Sequence, residues 1–189
     1  MQKLNLIIEI SKKNQWKGKE SVIITAVTKT MQKMLESHKR IIDKTCLISL
    51  LLSDDKNLHK MNLDYRNKDK PTNVLSFQNI DWENNLDIDD ILTVEQLDLQ
   101  SKNIFTITVN SIISQVKLAP ETPVLSIGNI AISYERILEE AIEESKTFDE
   151  HLMFITIHGV LHLMGYDHEM DDEAKVMQRL EKNIILNLK

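Results

Sequence analysis

Apolar residues along this chain recur with two different periods, and each change of period marks a new element. Leu4, Leu6, Ile8 and Ile10 alternate with Asn5, Ile7 and Glu9, an imperfect period of two that predicts a strand over 4–10. From Glu20 to His38, the residues Val22, Ile23, Ala26, Val27, Met31, Met34 and Leu35 recur at helical spacing, with lysines on the solvated side. Thr45 to Leu52 is short and almost wholly apolar, which suits a buried central strand. Ser53 and Asp54 can cap a following helix whose inner side carries Leu58, Met61 and Tyr65. Pro71 rules out a continuous helix, and Val74 to Phe77 predicts a short strand. Ile104 to Val109 alternates as a strand, Gly128 to Ser133 reads as another, and Tyr134 to Ser145 as a helix. Thr147-Phe148-Asp149-Glu150 is a capping box. It opens a helix buried through Met153, Phe154, Ile157, Val160, Leu161 and Met164. Asp171, Asp172 and Glu173 favour the start of a last helix, with Met177, Leu180, Ile184 and Leu188 as its apolar stripe.

The capped helix carries the chemistry. In His158-Gly159-Val160-Leu161-His162-Leu163-Met164-Gly165-Tyr166-Asp167-His168, two histidines four apart share one helix face. Gly165 can adopt the left-handed conformation that ends a helix, so that His168 returns toward the same point. Three neutral nitrogen donors make most of a tetrahedral zinc site, and the absence of a fourth ligand leaves the open position of a catalytic ion. The spacing equals that of the metzincin proteases, H-x-x-x-H-x-x-G-x-x-H, but the glutamate that serves them as general base is replaced by Gly159. The ligands are kept and the protease base is gone. Asp167, next to a ligand, either orients a histidine or caps the turn. Tyr166 reads as packing, His151 as a core or supporting group, and His59 as a surface residue.

Charge and composition narrow the setting. The 189 residues suit one compact domain, with 42% hydrophobic residues. The net charge of −6 is concentrated in residues 81–125, which hold eight acids against Lys102 and Lys117. The rest balances, with 21 of the 29 acids and 21 of the 23 bases. Overall charge therefore neither supports nor excludes a nucleic-acid partner. Residues 81–125, closed by Pro120 and Pro123, read as a peripheral insertion with some structure of its own and no chemistry. The single Cys46 lies in an apolar run and fits a reducing cytoplasm. No apolar stretch is long enough to span a bilayer, and the N-terminal segment lacks a signal-peptide core.

One further stretch is chemically suggestive: Tyr65-Arg66-Asn67-Lys68-Asp69-Lys70-Pro71-Thr72-Asn73-Val74-Leu75-Ser76-Phe77. By spacing alone Arg66, Lys68 and Lys70 are a solvated basic loop; the chemical alternative is phosphate contact through the guanidinium fork. Taken with His158 to His168 and its continuation through Glu169, Met177 and Glu181, this stretch resembles the YbeY family of ribosomal-RNA maturation endoribonucleases. The resemblance covers most of the chain outside 81–125. It implies an α+β fold, a small mixed sheet of about four strands with helices packed on it. It implies a single-strand-specific endoribonuclease acting on ribosomal RNA, with ribosomal proteins as further partners. It also implies one zinc held by His158, His162 and His168, with catalysis resting on His158 and on an arginine at the position of Arg66. Asp167, Lys68 and Asn73 are candidates to orient a ligand or touch substrate.

Three departures from the family pattern stand out: Asn129 occupies a position usually acidic, with an expected effect on a supporting bond or charge near the site, Gln78 replaces a frequent proline, and the span from Phe77 to Gly128 is much longer than usual. A zinc-bound water of lowered pKa and a polarised phosphoryl oxygen are the expected chemistry, with Arg66 steadying charge on the phosphate. Either water or the RNA 2′-hydroxyl can be the attacking group. Two other classes remain open from sequence: a metzincin-like protease, disfavoured by Gly159, and a non-catalytic factor that is stabilised by its metal and binds the ribosome.

Overall fold

The computed structural model describes residues 4–12, 14–82, 91–93, 95–96, 104–109 and 119–187. Its strands are β1 (Leu4–Lys12), β2 (Thr45–Ser53), β3 (Val74–Gln78), β4 (Ile91–Thr93), β5 (Ile104–Val109) and β6 (Pro123–Ser133). Its helices are α1 (Glu20–Met34), α2 (Asp55–Arg66), α3 (Tyr134–Glu143), α4 (Phe148–Leu163) and α5 (Asp171–Leu186). The fold is α+β, as the resemblance implies.

The sheet runs β3-β6-β2-β1-β5, with β4 pairing the start of β6. The three central strands are parallel, and they are the most apolar stretches of the chain, because a strand covered on both faces has no polar side to show. β3 and β5 flank them antiparallel. Four strands therefore come from the body of the chain. The acidic stretch contributes the other two, so its described strands, β4 and β5, extend the sheet. Pro123 does not close the insertion: β6 begins on it, a tolerated place because the first residue of a strand need not donate. A bulge at Ile127, where Leu47 pairs Ser126 but Ile48 pairs Gly128, re-aims the second half of β6.

One face of the sheet carries α1, α3, α4 and α5 over a core built from Ile48, Leu50, Ile130 and Ile132 with Ile23, Met31, Ile137, Val160 and Met177. Each such aliphatic side chain contributes roughly 1.5–3 kcal/mol on burial. On the other face α2 covers a smaller cluster of Leu58, Leu75 and Ala131, with Phe77 packed against it. α4 lies at the centre of the larger core. Its buried residues (Leu152, Ile155, Ile157, Val160, Leu161, Leu163) surround the helix, as expected where one helix is enclosed by a sheet and its neighbours. It approaches the sheet at Gly159, where a Cβ would meet Ile130 at 3.2 Å and Ser76 Oγ at 3.3 Å.

Candidate metal centre

The site is assembled at the C-terminal end of α4. The helix starts on a complete capping box, Thr147 with Glu150, which satisfies two of its orphan N–H groups. It ends in a Schellman turn: Tyr166 N–H donates to Leu161 O at 3.1 Å and Gly165 N–H to His162 O at 3.0 Å. Gly165 has φ +85°, and a Cβ there would meet the Trp82 ring at 2.8 Å. The carbonyls left over at the helix end are taken by side chains from elsewhere. Trp82 Nε1–H donates to Leu163 O at 2.7 Å, and His38 Nε2–H donates to Met164 O at 3.0 Å. Trp82 and His38 stack edge-on, their ring centres 4.8 Å apart. Burial pulls the His38 pKa below the usual histidine range, so its ring is neutral, with Nδ1 facing Ser37 Oγ at 3.0 Å.

This turn brings three imidazoles together. His158, His162 and His168 each offer a ring nitrogen, and these atoms lie within 4.8 Å of one another. The Nε2 atoms of His158 and His162 stand 3.1 Å apart, and the His168 ring centre lies 5.3 Å and 5.0 Å from theirs. Two donors at about 2.0–2.1 Å from a tetrahedral zinc are roughly 3.4 Å apart, close to the observed pair.

The protonation states also fit. His158 Nδ1–H donates to Glu181 Oε1 at 2.8 Å, which leaves the Nε2 lone pair toward the cluster. Burial, and then the neighbouring His158 and His168, push the His162 pKa down to about 4, against a smaller opposing pull from Asp167. A neutral imidazole is the form that binds a metal.

The other expected site residues fall out differently. Asp167 Oδ1 accepts from His168 N–H at 2.7 Å and stands 3.8 Å from His162 Nδ1, so its closest contact organises the turn and its effect on His162 is electrostatic. Asn73 lines a cleft of about 360 Å³ together with His158, His168, Phe154 and Glu181. Its Nδ2 donates to Glu140 Oε2 at 2.9 Å, the atom that also accepts from the buried His151 at 2.8 Å. His151 is thus a core group that supports the cleft wall. Arg66 lies at the outer edge of β3, where Nη2 donates to Ser76 O at 3.2 Å; Ser76 Oγ in turn donates to Gly159 O at 3.2 Å. Lys68 is exposed on the loop after α2 and does not line the cleft.

Asn129 corrects an expectation. It pairs Phe77 across the strands and lies two residues from Ala131, on the α2 face, whereas Ile130 faces α4. Its side chain therefore sits on the sheet face away from the three histidines. Sequence reasoning also assigned no chemistry to 81–125, yet Trp82 caps the metal-site turn. It missed Glu181 as the partner of His158, although a legible signal existed. Glu181 is 7% exposed and falls on the stripe of Met177 and Ile184, where a charge needs a reason.

A three-histidine helix-and-turn motif on a mixed α+β sheet defines a protein class with imidazole donors close enough to bind one metal ion. Comparison with known proteins narrows this class. The family profile Endoribonuclease YbeY matches residues 10–189. The chain is 33% identical over 162 residues to the Endoribonuclease YbeY of Bartonella quintana, covering 86% of this chain and 80% of that one. It is 36% identical over 141 residues to that of Nitrobacter winogradskyi, covering 75% of this chain and 57% of the longer relative. The solution structure of a Thermotoga maritima protein aligns over 94% of this chain and 86% of that one, with a TM-score of 0.47 and 23% identity. The chain belongs to the YbeY endoribonuclease family.

Proposed function

We propose that this chain is a zinc-dependent endoribonuclease that cuts single-stranded regions of ribosomal RNA in the cytoplasm. Family membership makes it a hydrolase of RNA phosphodiester bonds. The observation that carries the finer reading is the convergence of three imidazole donors within 4.8 Å of one another. His158, His162 and His168 hold the ion. Zinc held there supplies an acidified water, its pKa lowered from about 15.7 to about 7, and a Lewis acid for a phosphoryl oxygen.

The chain's own residues supply the rest. Glu181 holds His158 in its ligating tautomer. Arg66 binds phosphate oxygens and steadies their growing charge. Asn73, pinned by Glu140, contacts the nucleotide in the cleft, while Asp167 sets the approach of His168. Lys68 adds to the positive field for RNA from outside the cleft. A cleft of about 360 Å³ suits one splayed nucleotide, which unpaired RNA presents and a duplex does not. Residues 1–189 act as one hydrolase domain, with 81–125 its insertion. Ribosomal proteins are the accompanying partners. The cytoplasmic setting fits the lone buried thiol of Cys46, and among the described residues no helix is long and apolar enough to cross a membrane.

Peptide hydrolysis is the weaker reading for a structural reason as well. At Gly159 a Cβ would meet Ile130 side-chain carbons at 3.2 and 3.3 Å and Ser76 Oγ at 3.3 Å, so a glutamate there crowds the contact between α4 and the sheet and shifts those side chains by a few tenths of an ångström. Zinc-loaded protein is expected to cut single-stranded RNA. His158→Ala abolishes cutting, and Arg66→Ala slows it by about 10²–10³. Intact RNA with zinc-loaded wild type, or casein degraded in its place, overturns the proposal.

A further inference from the structure

The outer edge of β3 is a row of backbone donors, and two of its three outward carbonyls already accept a side-chain hydrogen bond. Among the described residues no strand lies beyond β3. Its register sets Leu75 opposite Ala131 and Phe77 opposite Asn129. The bonds that continue this ladder, Ser133 N–H to Asn73 O at 2.9 Å and Asn79 N–H to Ile127 O at 3.0 Å, belong to odd-numbered residues of the β3 side. In an antiparallel pair a residue turns both backbone groups the same way. Odd positions therefore face β6, while Val74, Ser76 and Gln78 face outward. Two of the outward carbonyls are taken: Thr72 Oγ1 donates to Val74 O at 3.2 Å, and Arg66 Nη2 donates to Ser76 O at 3.2 Å.

This asymmetry selects an occupant. A peptide that adds to a sheet edge needs donors and acceptors in alternation, and here the Thr72 and Arg66 side chains crowd two of the three outward carbonyls. An anion needs donors only. Arg66 uses one of its five N–H groups on Ser76 and keeps the others beside the Ser76 N–H. The row also adjoins the metal centre. Ser76 Oγ is bonded to Gly159 O, between His158 and His162, and Asn73, just before β3, lines the cleft with His158 and His168. Next to Arg66, Tyr65 is 69% exposed, yet its ring is held edge-on against Phe77 with centres 5.4 Å apart. A fixed, exposed aromatic beside a row of phosphate donors has the composition of a single-strand binding track.

We infer that the outer edge of β3 carries the phosphodiester backbone of the substrate strand, with the Ser76 N–H and the Arg66 guanidinium on one phosphate and a base stacked on Tyr65. The inference rests on the ribonuclease reading above and adds to it a route for the strand.

A cleavage-resistant 2′-O-methyl phosphorothioate oligouridylate, titrated into zinc-loaded protein and followed by amide NMR, tests it. The N–H signals of Val74, Ser76 and Gln78 are expected to shift more than those of Leu75 and Phe77. A second arm compares Ser76→Pro, which removes an outward N–H without breaking a ladder bond, with Ser76→Ala, which keeps it. Ser76→Pro is expected to bind the oligonucleotide more weakly than Ser76→Ala, both holding zinc as wild type does. Tyr65→Ala is expected to weaken binding roughly tenfold and Tyr65→Phe to leave it unchanged. If the oligonucleotide binds and RNA is still cut while the β3 amides stay still, the track is wrong and the nuclease reading stands. Equal affinities for the two Ser76 variants have the same consequence. If neither binding nor cutting is seen, both readings fail. Should Ser76→Pro lose its zinc, the wild-type amide shifts decide alone.

Discussion

Glu181 reaches the metal centre from α5, and its carboxylate holds the proton of His158 on Nδ1. Removing it leaves a half-buried N–H without its partner and frees the ring to present the wrong nitrogen. Glu181→Ala is therefore expected to weaken zinc binding by about 10–100-fold, with partial recovery in Glu181→Gln, which still accepts the bond. Competition with a chromophoric chelator measures this, and unchanged affinity would show that Glu181 serves α5 alone. His162 sets a second residue-scale expectation. Burial and the two neighbouring imidazoles push its pKa down to about 4 in the fold, against an ordinary value of 6.5. Between those values the unfolded chain binds a proton that the metal-free fold refuses, so stability rises with pH there and falls as the pH drops from 6.5 toward 4. Urea midpoints of the metal-free protein across that window should show the slope, and His162→Gln should lose part of it.

At the scale of elements, the turn after α4 decides whether three histidines on one sequence become three ligands of one ion. Two glycines of similar backbone separate the causes. Gly18 has φ +82° and open space where a Cβ would stand, while Gly165 has φ +85° and the Trp82 ring 2.8 Å from that position. Gly18→Ala should cost only the left-handed strain, about 1–2 kcal/mol. Gly165→Ala should cost more and also weaken zinc binding by displacing His168, which thermal melts and metal titrations together would register. Equal effects at the two positions would remove Trp82 from the account.

That turn also divides what the sequence discloses from what it hides. The capping box, the i, i+4 histidines and Gly165 are local signals, each set by residues within a turn or two, and the structure realises all of them. The apolar runs of β1, β2 and β6 are legible for the same reason. The Trp82 and His38 bonds to the end of α4, the Glu181 carboxylate and the pairing of β5 with β1 join residues far apart in the chain. No periodicity encodes such contacts, so they emerge only when the elements pack. Gly159 shows both sides: its position in the motif flags the missing protease base, but what crowds a side chain there is Ile130 on a distant strand, 3.2 Å from where a Cβ would stand.

For the molecule as a whole, the metal centre is half-buried at the end of a helix that the main core encloses. α4 supplies two of the three histidines and also packs against the sheet and against residues of α1, α3 and α5. An ion bound by His158, His162 and His168 therefore binds the folded chain and scarcely the unfolded one, in which His168 is no longer held near the other two. Such a ligand stabilises the entire cooperative unit by RT ln(1 + [L]/Kd), about 4 kcal/mol at a thousandfold excess over Kd. For a domain of this size each kcal/mol moves Tm by about 2–4 °C, so zinc should raise Tm by roughly 8–16 °C and a chelator should return it. His168→Ala bears on the linkage directly: it leaves the core packing of α4 intact but removes the ligand contributed by the turn, so most of the zinc-dependent shift should vanish while the metal-free Tm stays close to wild type. A wild-type Tm indifferent to zinc would mean that the three rings do not act together on one ion, and a His168→Ala protein with the full shift would place the binding on the helix pair alone.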